Sequence, residues 1–231
     1  MRLELDVGNT RIKWRLMDHR AVFDQGTDLE AAMEGQPKWL PLIESVWVSS
    51  VSDDKNQWLQ QLFGEVWYAQ SQRVFKGLAN SYADPVRMGV DRWLAMVAVW
   101  MKEPDGAHIV VDAGTAVTMD VISHVGQHMG GFICPGLQLM KSTLLGNTSK
   151  VLAQEQWLTS RALGQETQAC VDQGILDMVV CWIERHHQQY PDAKIWLTGG
   201  DGERLASMVE APVVYAPDLV LDGLSAYFLE Q

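Results

Sequence analysis

The chain opens on an alternation. Leu3, Leu5 and Val7 are apolar around Glu4 and Asp6, and Ile12, Trp14 and Leu16 repeat the pattern around Lys13 and Arg15. A period of two marks a strand with one face in a core. Gly8–Asn9–Thr10 is turn chemistry, so residues 2–17 read as a β-hairpin with a Gly-Asn turn. The pattern then predicts a strand over Ser45–Ser49, a helix over Asp54–Phe63 and a short strand over Val66–Ala69. Gly89–Lys102 is a helix candidate that is apolar almost all round. Such a helix is buried on several sides, between domains or in a subunit interface. Glu103–Pro104–Asp105–Gly106 breaks it and places a domain boundary there, giving domains 1–105 and 106–231.

The second half repeats the first. His108–Asp112 is an apolar strand ending in Asp, Ala113–Gly114–Thr115 turns, Val117–Ile122 returns, and Met129–Ile133 adds a third strand. Pro135–Gly136 opens a helix with Leu137, Met140 and Leu144 at helical spacing. Thr167–His187 is a long helix, Lys194–Thr198 a strand, Glu203 starts a short helix, and Gly223–Leu229 closes the chain as a helix. LELDVGNTRIKWRLMD and IVVDAGTAVTMDVIS are therefore two copies of one unit: strand, Asp, Gly/Thr turn, strand. Two related α/β halves facing each other would bring both Asp-Gly-Thr turns to a shared nucleotide cleft.

Composition narrows the class. The 231 residues are 47% hydrophobic, enough for a sizeable core. A net charge of -11 and a pI near 4.9 argue against a nucleic-acid partner. No stretch reaches the roughly 20 apolar residues of a membrane span, and the first residues lack an apolar signal core. Cys134, Cys170 and Cys181 are widely spaced and read as free thiols of a reducing compartment. A cytoplasmic protein is expected, with no nucleic acid and no membrane as partner.

The candidate chemistry lies in the turns. Asp6-x-Gly8-Asn9-Thr10-x-x-Lys13 is not a Walker A loop, which needs GxxxxGK[ST] before a helix. Gly8 lets backbone N–H groups approach a phosphate, Asn9 and Thr10 add polar contacts, and Lys13 supplies a point charge. Asp6 beside a triphosphate makes sense as a holder of Mg²⁺, directly or through water. The same residues also suit a plain hairpin. Asp91, in Gly89-Val90-Asp91-Arg92, suits either a helix N-terminal charge or a general base for a substrate hydroxyl, with Arg92 on an anionic part of the acceptor. Leu197–Gly202 could pass under an adenine ring or be a glycine turn. No histidine has zinc-site spacing, and no serine sits in a GxSxG elbow.

DVGNTRIK, GVDR, DAGTA and GGFICPG, in that order, resemble the type III pantothenate kinases over essentially the whole chain, with 151–166 and the C-terminal region matching least well. The resemblance implies an α/β fold of two ribonuclease-H-like (actin-like ATPase) domains. The implied reaction is ATP-dependent phosphorylation of pantothenate to 4′-phosphopantothenate, the first step of coenzyme A biosynthesis. It implies ATP and Mg²⁺ at Asp6, Val7, Gly8, Asn9, Thr10, Arg11, Ile12 and Lys13, with Thr115 as a further ATP contact. Asp91 becomes the catalytic base, and Tyr82, Gly89, Val90, Asp91, Arg92 and Thr167 the pantothenate-binding residues. Asp112 becomes the ligand of a monovalent cation, K⁺ or NH4⁺. Family members are homodimers, and some relatives are described as Bvg accessory factors acting on transcription. Another small-molecule kinase of the same superfamily shares the Asp-Gly-Thr turns.

Overall fold

The expected hairpin forms in a computed structural model that describes residues 1–146 and 156–230. Strand β1 (Arg2–Val7) pairs antiparallel with β2 (Ile12–Asp18), setting Asp6 opposite Lys13. Strand β3 (Ala21–Gly26) continues the meander on β2. It is an edge strand exposed along most of its length, so it carries none of the alternation that identified its neighbours. Helix α1 (Leu29–Glu34) follows, its first turn capped by Asp28, whose carboxylate accepts from the Ala31 N–H at 3.0 Å. Strand β4 (Ser45–Ser50) then lies parallel to β1, helix α2 (Asp53–Phe63) leaves it, and β5 (Trp67–Tyr68) lies parallel to β4. The sheet runs β3-β2-β1-β4-β5. Leu3, Leu5, Val48 and Leu59 are fully buried against it. A ribbon of β6 (Val74–Phe75) and β7 (Leu78–Ala79) leads to helix α3 (Val90–Lys102).

The second set of elements repeats this plan. Strands β8 (Ala107–Ala113), β9 (Ala116–Ile122) and β10 (His128–Pro135) form an antiparallel meander. Helices α4 (Leu137–Gly146) and α5 (Thr167–Gln189) follow, then β11 (Ala193–Thr198), helix α6 (Gly202–Ala206) and β12 (Val213–Tyr215). Strand β11 is parallel to β8 and β12 to β11, giving β10-β9-β8-β11-β12. Strand for strand this is the order and direction of the first sheet, so the sequence echo is an echo of topology. Ile109, Met119, Leu176 and Leu197 are fully buried in this core. Of the loosely matching 151–166 segment, 151–155 lie outside the described residues.

The chain divides into two units: Met1–Glu103 with Asp218–Gln231, and Pro104–Pro217. The last helix belongs to the first unit, not to a half running from 106 to 231. Helix α7 (Leu219–Leu229) packs on α3 in the first unit. It also begins four residues earlier than Gly223, because Leu219, Val220 and Leu221 are already helical and buried. Gly223 faces the carbonyl of Leu94; a Cβ there would collide with that oxygen and stand 3.0 Å from Leu94 Cα. Charge fixes the same helix. Asp222 accepts from Arg15 Nη1 at 2.8 Å and from Lys102 Nζ at 2.6 Å, and Ser225 donates to Glu4. Glu4 is fully buried and takes a two-point contact from Arg15 at 2.7 and 2.9 Å. Within the first unit α3 packs on α7 and β4, which bury most of its length.

Candidate functional site

The Asp6–Lys13 segment is a strand end, a four-residue loop and a strand start. Val7 and Ile12 are buried core residues, so only their backbone is open to a ligand. Asn9, Thr10 and Arg11 are exposed, and Gly8 N–H closes the loop on Arg11 O at 3.1 Å. Asp6 and Lys13 are directly opposed residues of an antiparallel pair, so both side chains leave the same face of the sheet. Two further residues engage this loop, and sequence reasoning missed both. Lys55, in the first turn of α2, donates from Nζ to Gly8 O at 2.8 Å and to Asn9 O at 3.1 Å. Asp218, immediately before α7, places Oδ1 2.7 Å from Lys13 Nζ. Each is a contact between distant parts of the sequence, and neither residue stands in a motif.

The start of α3 carries Asp91 and Arg92 and brings Arg92 to Tyr82 in the first unit, while Thr167 lies in the second. Arg92 is buried, and its Nη1 donates to the Tyr82 hydroxyl at 3.0 Å, with the guanidinium carbon 5.8 Å from the centre of the tyrosine ring. Asp91 is partly exposed and accepts the Arg92 N–H at 2.8 Å. That bond engages one of the open N–H groups of the first helical turn, while the N-cap position, Gly89, carries no side-chain cap. The bond engages one carboxylate oxygen, Oδ1. A cavity of about 400 Å³ opens beside Gly89 and Val90, lined by Ser50, Gln70, Ser71 and Arg87 among others.

In the second unit Asp112 occupies the place in β8 that Asp6 occupies in β1. The register extends the parallel: Ser49 on β4 lies beside Asp6, and Thr198 on β11 lies beside Asp112. The opposing residue differs, Lys13 in the first sheet and Thr118 in the second. The 113–116 turn is tied by Gly114 N–H to Ala116 O and by Gly136 N–H to Thr115 O, both 2.9 Å, and leaves Thr115 exposed. Gly199 presses on the same turn. Its φ is +86°, and a Cβ would stand 2.6 Å from Ala113 O. Only glycine meets both conditions. Asp201, in the same glycine turn, donates its N–H to Ala113 O at 2.9 Å and binds Arg204. Burial holds its carboxyl above the ordinary range, against the pull of Arg204. Thr167, the first residue of α5, is exposed and lines a cavity of about 720 Å³ with Leu144, Gly164, Cys170 and Ile175.

Among the described residues no group of three or more His, Cys, Asp or Glu side chains could hold a metal ion. A hard divalent ion that arrives with a substrate's phosphates needs only one carboxylate from the protein. Asp6 fits that role. Its register neighbour Ser49 has a buried hydroxyl with no hydrogen-bond partner, an oxygen placed beside the carboxylate. Among the described residues no helix is long and apolar enough to cross a membrane.

Known proteins give the chain its place. The family model described as type III pantothenate kinase matches residues 2–189. A type III pantothenate kinase of Marinobacter nauticus is 38% identical over 241 residues, covering 97% of this chain and 96% of that protein. A solved structure from Campylobacter jejuni, described as a conserved Baf family transcriptional activator, superposes with a TM-score of 0.69 at 22% identity over 99% of this chain and 98% of that one. Another from Sinorhizobium meliloti, described as a 2-dehydro-3-deoxygalactonokinase, gives 0.60 at 12% over 98% of each. At such identities these two speak for the fold, the two-sheet α/β architecture of actin-like ATPases and sugar kinases. With the family model matching residues 2–189 and a relative 38% identical over almost its whole length, the chain belongs to the type III pantothenate kinase family.

Proposed function

We propose that this protein transfers the γ-phosphoryl group of ATP to the 4′-hydroxyl of pantothenate, the first step of coenzyme A synthesis. The observation that carries the reading is the first unit's pairing of two sets of residues. Asp6 and Lys13 face each other at a strand-to-strand turn, and Asp91, Arg92 and Tyr82 converge at a helix start.

In this reading the Gly8–Arg11 backbone and Lys13 hold the phosphates. Asp6 holds Mg²⁺, which supplies charge neutralisation at the phosphate oxygens. Arg92, buried and bonded to Tyr82, pairs with the anionic acceptor. Asp91 accepts the proton of the acceptor hydroxyl. The hydroxyl oxygen forms its bond to the γ-phosphorus as the bond to the β-γ bridging oxygen breaks, and ADP departs. Asp112 takes a monovalent cation, K⁺ or NH4⁺, and Thr115 contacts ATP. Thr167 contacts pantothenate in a homodimer. Membership of the family supports these last assignments.

A coupled ADP-release assay with Mg-ATP, K⁺ and a panel of acceptors tests the reading. Turnover with pantothenate is expected. Turnover with a sugar or acetate and none with pantothenate would sink it. Asp91→Asn is expected to lose at least about a hundredfold in kcat, the low end of what a general base contributes, while ATP binding is retained. A variant with wild-type kcat would leave Asp91 as a helix-end charge only.

A further inference from the structure

An aspartate directly before a helix ordinarily caps it, its carboxylate accepting from an N–H of the first turn. Asp218 stands at that position before α7 and makes no such bond. Its carboxylate instead lies 2.7 Å from Lys13 Nζ, and both side chains are about three-tenths exposed. The helix that carries Asp218 is fixed in place. Gly223 lets α7 close onto Leu94, Asp222 is bound by Arg15 and Lys102, and Ser225 bonds to Glu4 on β1. Asp218 is therefore a carboxylate on a rigid post, aimed at the lysine of the phosphate loop.

We propose that Asp218 is a positioning residue for phosphoryl transfer, holding the Lys13 ammonium at the loop so that ATP meets it already oriented; this rests on the kinase reading above. A lysine side chain is long and flexible, and an unanchored one loses much rotamer freedom when it binds. An ammonium donates three hydrogen bonds, so it can keep one carboxylate partner while it binds phosphate. The anchor thus costs the enzyme none of the lysine's charge and removes part of the ordering that ATP binding would otherwise require. Asp218 lies beyond the residues 2–189 matched by the family model, so nothing in the matched motifs points to it.

The test compares Asp218→Asn, Asp218→Glu, Lys13→Met and the Asp218→Asn/Lys13→Met double variant by steady-state kinetics with each substrate varied in turn. Asp218→Asn is expected to lower kcat/KM for Mg-ATP about tenfold and leave the KM for pantothenate unchanged. Asp218→Glu is expected to recover part of that loss. In the Lys13→Met background the Asn substitution is expected to add nothing, because its effect passes through Lys13. Wild-type kcat/KM in Asp218→Asn would overturn the proposal, as would equal losses for both substrates or a double variant whose losses multiply. If Lys13→Met keeps full activity, the kinase reading of the loop fails. If Lys13→Met is impaired and Asp218→Asn is not, only the role of Asp218 fails. Should Asp218→Asn not fold, the glutamate variant and the pantothenate KM carry the same comparison.

Discussion

Replacing Lys55 by Met keeps the length of the side chain and removes its charge, which tests how far the phosphate loop depends on being held in shape. Lys55 Nζ donates to two adjacent loop carbonyls, Gly8 O at 2.8 Å and Asn9 O at 3.1 Å. A hydrogen bond from a charged donor contributes about 1.5–3 kcal/mol. Two such bonds are offset by the rotamer freedom of the lysine, worth up to about 2 kcal/mol, and by competition from solvent at a half-exposed site. The net is about 1.5 kcal/mol, or roughly a tenfold change in the ratio of ordered to disordered loop. If ATP binds only the ordered loop, and the free loop is at most half ordered, its apparent affinity falls about five- to tenfold. The KM for Mg-ATP should therefore rise about five- to tenfold, with kcat at saturating ATP and the KM for pantothenate near wild type. Lys55→Arg, which keeps the charge, should fall between. A Lys55→Met enzyme with an ATP KM within about twofold of wild type would refute the reasoning, since the loop would then be ordered without the two bonds.

Two further predictions concern stability. Lys141 and Asp172 are a buried ion pair in the second unit, Nζ 2.8 Å from Oδ1, with both side chains almost wholly excluded from solvent. Asp172→Asn strands a buried ammonium and should cost about 3–5 kcal/mol, whereas Lys141→Met/Asp172→Leu should recover most of it; thermal melts that rank the double variant below the single would contradict this. Burial pushes the Asp222 carboxyl up, but hydrogen bonds from Arg15 and Lys102, with their charges, bring it below its ordinary value overall. A carboxyl depressed in the folded state contributes stability that is complete above its unfolded pKa, about 3.9, and is lost as pH falls through the lower folded value. The melting temperature of wild type should therefore drop more steeply below about pH 4 than that of Asp222→Asn; parallel profiles would refute it.

What the sequence made legible were the elements whose side chains alternate between core and solvent or that are buried throughout. Strands β1, β2, β8 and β9 lay close to their predicted limits because Leu3, Leu5, Ile109 and Val111 had to be inside. Strand β3 escaped notice for the opposite reason: Val22 and Phe23 are about half exposed, and an edge strand need show no buried face. Periodicity marks α7 as a helix but cannot place it in the first unit, since its partner α3 lies more than a hundred positions earlier in the chain and no local pattern records such a pairing. Lys55 and Asp218 were missed for the same reason.

The duplication itself points to where the site's chemistry was hard to read. The two sheets share order, direction and even the hydroxyl residue beside each strand-end aspartate, Ser49 in one and Thr198 in the other. Topology therefore cannot assign different tasks to the two turns. The side chains around them can. Lys13 opposes Asp6, and Lys55 and Asp218 reach the same loop, while Thr118 opposes Asp112 and glycines crowd the turn that follows it. Two cations beside a strand-end carboxylate suit a highly charged phosphate chain with a divalent ion. Asp112 has a threonine opposite it and a close glycine backbone beside the turn that follows. A repeated backbone supplies the positions, and three residues drawn from β2, the first turn of α2 and the residue before α7 make the first turn different from the second.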